Sequence, residues 1–432
     1  MGAFQPFLIF AFLGVLSLIL LVHAQDQLGF ISIDCGLPAN STYKEDTTKV
    51  DYISDANFID TGISRSIVSV WKDTFQQQVW NLRSFPQGVR NCYTINVTRG
   101  TRYLIRGTFL HGNYDGEGNL PKFDLYLGTN LWDTVKVENA SISISKELIH
   151  VPSRNFIHIC LVNTDFGTPF ISAIEFRPLK NNSYVTKSGS LALYLRADTG
   201  STNYYQYAYP DDVHDRRWTT YNSNEWKDFW SPNNSVDLKD LNTTLTIDSQ
   251  SQNNYQPASI VMSTAATPID ESAPMEFYWE ADDPNTQFYI YMHFAEVVKL
   301  ETNQSRSFNV NLNGKHWYGP LVPAYLSTNT LYSRSPETGG RKYVFSMVKA
   351  ENSTLPPILN AVEIYSVKDF TQSETDQADV DAIRKIKSTY GIKRDWQGDP
   401  CAPKGYSWEG LACSYDDDNA PRITSLNLSS RD

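Results

Sequence analysis

The segments YLIRGTFL (103–110) and FDLYLG (123–128) recur as FYIYMHF (288–294) and FNVNLNG (308–314). Each pair is separated by 185 residues, as 288 is from 103 and 308 is from 123. Aromatic and β-branched residues dominate these segments, which is typical of β-strands. The sequence therefore predicts that one β-structured unit is present twice.

The start and the end of this unit recur in the same order as its middle. Asp34-Cys35-Gly36 corresponds to Asp198-Thr199-Gly200, and AIEF (173–176) corresponds to AVEI (361–364). Gly, Asn, Asp and Pro separate the strand-like runs, and no helical periodicity lies between them. Many short strands of this kind favour two sheets packed as a sandwich in each copy.

We predict a mainly β fold with two tandem sandwich lobes, at residues 28–185 and 190–368. The polar segment KNNSYVTKSG (180–189) marks the boundary between them. About 150 to 180 residues per lobe is an ordinary domain size.

A helical pattern follows in the segment 369–395, where apolar residues recur every three or four positions, at Val380, Ile383, Ile386 and Tyr390. Gly391 can end this helix in a left-handed conformation. We interpret the segment as a linker and a capping helix.

The last segment, 396–432, has the sequence of a leucine-rich-repeat junction. DWQGDPCAPKGYSWEGLAC (395–413) runs into ITSLNLSS (423–430), where Ile423, Leu426 and Leu428 have the L-x-x-L-x-L spacing. Since one repeat cannot bury its own apolar face, we expect a cap with one partial repeat at the front of a larger protein. The alternative is that the open reading frame is a truncated gene model.

The five cysteines fall into two groups. Cys401 and Cys413 flank eleven residues, and in an oxidising compartment this spacing predicts a disulfide that closes the cap. Of Cys35, Cys92 and Cys160, at most two can pair, and the sequence does not choose between the pairings. The remaining one is expected to be a free, buried thiol.

The first 24 residues read as a signal peptide. An apolar run from Phe7 to Val22 ends at Val22-His23-Ala24, with small residues at the two positions that signal peptidase recognises. No Lys or Arg precedes Lys44, so an uncleaved anchor remains the alternative. We expect the protein in the secretory pathway, either at the extracellular side of the plasma membrane or secreted.

N-glycosylation acceptors are spread over the whole chain, and their density predicts a glycoprotein. The asparagines are Asn40, Asn96, Asn139, Asn181, Asn233, Asn242, Asn303, Asn352 and Asn427. The net charge of −11, without any basic block, argues against nucleic acid and anionic membrane surfaces as partners. Membrane attachment would require an uncleaved signal anchor or a segment beyond residue 432.

Five motifs in order resemble the extracellular malectin-like domain of plant receptor kinases: FISIDCGLP (30–38), YAYPDDVHDRRW (207–218), NNYQPASIVMSTAATP (253–268), FYIYMHFAE (288–296) and NAVEIY (360–365). GDPC (398–401) and WEGLAC (408–413) resemble the junction into the leucine-rich repeats of this family, and the GDPC sequence is similar to that of symbiosis receptor kinases.

In that family two malectin-like lobes precede a few leucine-rich repeats, a transmembrane helix and a serine/threonine kinase. The resemblance implies an ectodomain that senses a cell-wall glycan or a peptide, with a co-receptor ectodomain as a further partner. The chain itself is expected not to be an enzyme, since it carries neither the transmembrane helix nor the kinase. No cofactor is expected.

The densest aromatic and acidic cluster predicts a ligand site at Asp198, Tyr204, Tyr205, Tyr207, Tyr209 and Trp218. Rings stack on the apolar faces of sugars and a carboxylate accepts hydroxyl hydrogen bonds, while an acidic surface also attracts a basic peptide. The alternative is that these rings fill the sandwich core or the contact between the lobes. The plant family also departs from malectin at its sugar-contacting positions.

A secreted cell-wall glycosidase is the competing function, since Asp211, Asp212, Glu280, Asp282 and Asp283 could supply two catalytic carboxylates. Adjacent carboxylates in turn-like sequence are more often solvated, and we expect that here. His111, His158 and His293 lie in strand-like runs and are interpreted as half-buried residues. No pair of histidines has metal-ligand spacing, so no metal site is expected.

Overall fold

The computed structural model describes residues 27–187, 189–201, 206–220, 238–248, 253–416 and 419–429. We call strands β1 to β13 the first lobe. Their bounds are β1 (Ile31–Asp34), β2 (Thr42–Lys44), β3 (Asp51–Ser54), β4 (Ile63–Ser66), β5 (Asn81–Ser84), β6 (Arg90–Asn96), β7 (Tyr103–Phe109), β8 (Lys122–Leu127), β9 (Asn130–Lys136), β10 (Ile144–His150), β11 (Phe156–Phe166), β12 (Phe170–Ile171) and β13 (Ala173–Pro178).

The second lobe contains strands β14 to β24 and a short helix, α1. Their bounds are β14 (Ser190–Asp198), β15 (Thr219–Thr220), β16 (Leu238–Asn242), α1 (Ser259–Met262), β17 (Thr264–Pro268), β18 (Met275–Glu280), β19 (Phe288–Phe294), β20 (Phe308–Leu312), β21 (Lys315–Leu321), β22 (Asn329–Tyr332), β23 (Lys342–Lys349) and β24 (Ala361–Lys368). The chain continues into helix α2 (Gln377–Thr389) and the strands β25 (Leu411–Asp416) and β26 (Asn419–Leu426).

The strand order confirms the predicted duplication. In the first lobe β1-β13-β7-β10 are neighbours in one sheet, and in the second lobe β14-β24-β19-β22 have the same order. The small sheets β6-β11-β8-β9 and β18-β23-β20-β21 also correspond strand by strand. Each lobe is thus a two-sheet sandwich, as the sequence pattern predicts.

Each sandwich buries its own apolar core between a large and a small sheet. In the first lobe Ile105 and Phe176 of the large sheet pack in one cluster with Phe123 of the small sheet. In the second lobe Ile290 of the large sheet packs in one cluster with Phe345 of the small sheet. Alternation along each strand sends every second side chain into these cores.

The two large sheets are joined into one, which the sequence analysis did not predict. Strand β10 of the first lobe pairs antiparallel with β14 of the second, with Leu148 opposite Ala192 and Ile149 opposite Leu191. Among the described residues, eleven strands belong to this shared sheet. Backbone hydrogen bonds therefore connect the lobes directly.

Helix α2 begins at the N-cap Asp376, whose carboxylate accepts from the backbone N–H groups of Ala378 and Asp379. Val380 and Ile383 are buried as predicted, whereas Tyr390 is 73% exposed and does not share their apolar face. Gly391 follows with a φ of +59°, which fits the predicted left-handed end.

Both strands after the helix form a hairpin in which Leu411 lies opposite Leu426. Ile423 and Leu426 pack beside Ile383, Trp396 and Trp408, while Leu428 is exposed. The predicted Cys401–Cys413 disulfide is present. Cys92 and Cys160 form a second disulfide, and Cys35 is the buried free thiol.

Candidate site between the lobes

The shared sheet has a second face that carries charged residues instead of apolar ones. On β14, Leu195 and Ala197 belong to the second core, so Arg196 between them projects to the opposite face. On β7 and β13 the same alternation places Arg106 and Glu175 on that face. Arg106, Glu175 and Arg196 are single charged residues within apolar strands. This pattern was visible in the sequence, but it did not enter the predicted site.

These charges form a buried ionic network that spans both lobes. Arg106 contacts the carboxylates of Glu147 at 3.0 Å, Glu175 at 3.1 Å and Asp215 at 3.2 Å. Glu147 of β10 also pairs with Arg196 of the second lobe, which crosses the lobe boundary. Burying a charged pair costs desolvation free energy, which is offset only when the geometry is good and the remaining polar atoms are hydrogen-bonded. Such a pair therefore restricts the two strands to one relative position.

The network is balanced in charge. As far as the described residues define it, five arginines and five carboxylates take part, namely Arg106, Arg177, Arg196, Arg216, Arg217, Glu147, Glu175, Asp212, Asp215 and Glu363. Burial alone would raise the pKa of Glu147 and Glu363, but the neighbouring arginines hold both values below the ordinary one. Counted by formal charge, five arginines and five carboxylates give the network no net charge.

The segment YAYPDDVHDRRW (207–218), which we call the clasp, covers this charged face. Asp215 accepts from Arg177 at 2.8 Å, and Asp212 accepts from Arg216 and from the Trp218 indole N–H at 2.7 Å. Asp212 is fully buried, so its interpretation as a solvated turn residue was wrong. Asp212 and Arg216 are only four residues apart, and the turn between them brings their charges into contact at 2.8 Å.

A cavity of about 520 Å³ opens beside the clasp, between the two lobes. The first lobe contributes Phe75, Gln76, Gln78, Arg106, Thr108, Ser145 and Glu147, and the second contributes Leu193, Tyr194, Arg196, Gln206, Arg217 and Thr219. We call this cavity the interlobe cleft. Its size and its mixture of rings, hydroxyls, amides and guanidinium groups are those of a ligand site.

Two polar atoms of buried cleft residues lack a hydrogen-bond partner among the described residues. They are the acceptor Oε1 of Gln78 in the first lobe and the donor Nη1 of Arg196 in the second. Buried polar groups are almost always satisfied in folded proteins. Gln78 and Arg196 both line the cleft, but these two atoms have almost no accessible surface, so a ligand in the cleft does not reach them without a side-chain movement.

The predicted ligand residues do not form one exposed surface. Asp198 is fully buried, and its carboxylate accepts from Ser201 N–H at 3.2 Å and Thr264 Oγ1 at 3.2 Å. Tyr209 and Trp218 are also buried, whereas Tyr207 is half-buried against the second core. Tyr204 and Tyr205 lie outside the described residues.

The remaining predicted positions can be placed individually. Glu280, Asp282 and Asp283 are exposed, as expected for solvated carboxylates. His111, His158 and His293 are buried and not half-buried. Distant residues cover the three rings, namely Phe170, Arg384 and Glu363 in that order. The sequon asparagines that the structure describes are all exposed, and Asn233 lies outside the described residues.

Asp399 of the GDPC sequence fastens the C-terminal part of the chain. Its buried carboxylate accepts from the N–H groups of Thr375 at 2.9 Å, Cys401 at 3.1 Å and Ala402 at 2.9 Å. Gly398 has a φ of +68°, and a Cβ there would lie 2.8 Å from Arg90 of the first lobe. The motif therefore acts as a close joint and not as a flexible linker.

A family model for the malectin-like domain matches residues 33–367. The chain belongs to the malectin-like family. It is 46% identical over 430 residues to the LRR receptor-like serine/threonine-protein kinase IOS1 of Arabidopsis thaliana, covering 99% of this chain and 46% of that protein. The malectin-like chain thus spans about half the length of the curated relatives it matches.

Solved malectin-like ectodomains share the fold. The ANX2 ectodomain of Arabidopsis thaliana superposes with a TM-score of 0.63 at 17% identity, over 79% of this chain and 97% of that one. A structure of the plant peptide RALF23 in complex with FER and LLG2 gives a TM-score of 0.60 at 15% identity, over 78% and 95%. In the described part of the chain no helix is long and apolar enough to span a membrane.

Proposed function

We propose that this chain is the extracellular ligand-sensing region of a plant receptor-like kinase and that its ligand binds in the interlobe cleft. The two lobes, at 28–185 and 190–368, form the sensing unit. The segment 369–432 joins them to leucine-rich repeats. Signalling requires a kinase, for which the receptor-kinase relatives are named.

One observation carries the placement of the ligand in the cleft. Side chains of both lobes line one cavity, among them Gln76 and Ser145 of the first lobe and Tyr194 and Gln206 of the second. A sugar hydroxyl or a peptide group can form hydrogen bonds with such amides and hydroxyls. A ligand that fills the cavity contacts both lobes at once.

The ligand class follows from the same walls. Tyr194 is 47% exposed and offers a ring for stacking, while Gln206 and Thr219 offer polar groups. These features suit a cell-wall glycan or a short peptide. FER, a neighbour in fold, occurs in a complex with a peptide and LLG2, which supports a peptide ligand and a co-receptor as candidates here.

Binding without catalysis is the second part of the proposal. A glycosidase needs one carboxyl group that donates a proton and one that attacks or activates water. Glu147, a carboxylate in the cleft, is paired with Arg106 and Arg196, so it cannot act as a general acid. The exposed carboxylates Glu280, Asp282 and Asp283 do not line the cleft.

A glycan array and a panel of basic peptides, each measured at two salt concentrations, test the proposal. Peptide binding driven by the acidic surface should weaken towards physiological salt, where the screening length is ~8 Å, while sugar stacking should hardly change. Tyr194→Ala and Gln206→Ala should weaken the best ligand at least tenfold. Tyr318→Ala is the matched control, since Tyr318 is 46% exposed but does not line the cleft.

Two outcomes would contradict the proposal. Equal affinities of the folded Tyr194→Ala and Tyr318→Ala proteins would place the ligand elsewhere. Release of reducing ends from wall polysaccharides would replace the binding function by the enzymatic one.

A further inference from the structure

A second cavity, of about 340 Å³, lies where the first lobe, α2 and the C-terminal segment meet. Arg384 and Lys387 reach it from one face of α2, since residues three apart on a helix are neighbours. His158 of β11 lines it from the first lobe, and Trp396 and Trp408 line it from the C-terminal segment. We call it the junction cavity.

Neither cation of the junction cavity has a carboxylate partner within ion-pair distance among the described residues. The Arg384 guanidinium approaches His158 Nε2 at 3.3 Å and lies 4.7 Å from the ring centroid of Phe156. Lys387 Nζ donates to the backbone oxygen of Trp396 at 3.4 Å. Burial lowers the pKa of His158 to about 3, so this ring is neutral and accepts from Arg384.

The carboxylates around the junction cavity are engaged by other donors. Glu374 pairs with Arg154 at 2.9 Å. Asp381 accepts from Gln377 at 2.8 Å, and Asp60, which also lines the cavity, accepts from Gln397 at 3.0 Å. Two positive side chains and the Asp60 carboxylate therefore face the cavity, which leaves it a formal charge of +1 in a chain whose net charge is −11.

We propose that the junction cavity binds an oxyanion, a carboxylate or a sulfate, carried by an extracellular ligand. Arg384 donates from its planar fork and Lys387 supplies a second charge. The indole rings of Trp396 and Trp408 form an apolar wall for the group that carries the anion. Because the first lobe, α2 and the C-terminal segment all contribute, a bound anion stabilises their mutual position.

Sulfate titration with thermal unfolding of the full chain tests this proposal. Sulfate stabilises folded proteins in general by exclusion from their surface, and that effect rises steadily with concentration. A bound sulfate adds a component that rises with the logarithm of its concentration once the dissociation constant is exceeded, about 2 °C at ten times that constant. We expect this logarithmic component in the wild-type protein, measured against chloride at equal ionic strength.

Arg384→Gln/Lys387→Gln should lose the logarithmic component. Lys385→Gln/Lys393→Gln is the matched control, because both lysines are exposed and the charge change is the same. An equal sulfate response in wild type and both double variants would overturn the proposal.

Indole fluorescence of the wild-type protein gives a second readout that does not depend on the folding of a variant. Emission from Trp396 and Trp408 should change with a saturating dependence on sulfate or on acetate. The anion with the lower midpoint identifies the oxyanion group. A response no different from that to chloride for both anions would overturn the proposal, and this test is independent of the interlobe cleft.

Discussion

Glu147→Gln should destabilise the protein because Glu147 links the two lobes through the buried network. Its carboxylate accepts from Arg106 Nε at 3.2 Å and Nη2 at 3.0 Å, and from Arg196 of the second lobe. Glutamine has the same shape but no charge. The network would then contain one uncompensated positive charge in a buried position.

The expected loss in the free energy of unfolding depends on the carboxylate partners that Arg106 and Arg196 keep. Arg196 keeps Glu363 at 2.8 Å, and Arg106 keeps Glu175 and Asp215. Removing one partner of a buried pair costs roughly 3–5 kcal/mol. Since glutamine still accepts one hydrogen bond, we expect a loss near the lower end, about 3 kcal/mol in the free energy of unfolding.

Urea unfolding followed by tryptophan fluorescence measures this loss. The pKa of Glu147 is held below its ordinary value of 4.5, so its contribution is complete above that pH and is lost as the pH falls through the folded-state pKa. The difference between wild type and Glu147→Gln should therefore shrink in acid. Glu138→Gln is the control, because Glu138 pairs with Lys136 at an exposed site and should show no measurable change.

A wild-type unfolding midpoint for Glu147→Gln at neutral pH would refute the reasoning. It would mean that the buried ionic network does not contribute to the free energy of unfolding and that the shared sheet alone holds the lobes together.

Three further predictions follow from single sites. Asp399→Ala leaves the buried N–H groups of Thr375 and Ala402 without an acceptor, while the Cys401 N–H keeps Thr375 Oγ1. We expect the C-terminal segment to be destabilised by roughly 3 kcal/mol, measured by hydrogen exchange of 396–416, and unchanged exchange would contradict this role of Asp399. Burial raises the pKa of Asp34 to about 8 and that of Asp198 to about 7, so the stability that these groups contribute falls as the pH rises from about 4 to about 8. The unfolding temperature of Asp34→Asn should therefore rise relative to that of the wild type over this pH range. A difference that stays constant with pH would exclude the effect. Limited proteolysis of the deglycosylated protein between Lys180 and Ser190 should not produce two stable halves, because β10 and β14 belong to one sheet. Rapid cutting into two stable halves would show that the lobes are independent.

The duplication and the two cores could be predicted from sequence because the composition of a strand and its recurrence can be recognised in short segments. YLIRGTFL and FYIYMHF are rich in aromatic and β-branched residues, and the structure places them as β7 and β19. The Cys401–Cys413 disulfide was also predictable from spacing within one short segment. In each case the residues that decide the structure are close in sequence.

The shared sheet and the ionic face could not be predicted because they depend on contacts between distant residues. Glu147 meets Arg196 only after β10 and β14 have paired. For the same reason, the rings and carboxylates of 207–218 resembled a ligand site, although Asp212 and Trp218 are used in buried packing. The cleft beside them follows from how the lobes are joined.

Hydroxyl-radical footprinting of the complex with the best ligand tests the cleft most directly. Phe75 of the first lobe and Tyr194 of the second face the same cavity, and Tyr318 is an exposed reference outside it. We predict that the ligand protects Phe75 and Tyr194 together from oxidation and leaves Tyr318 unchanged. Protection of one lobe only, or of neither ring, would contradict binding between the lobes.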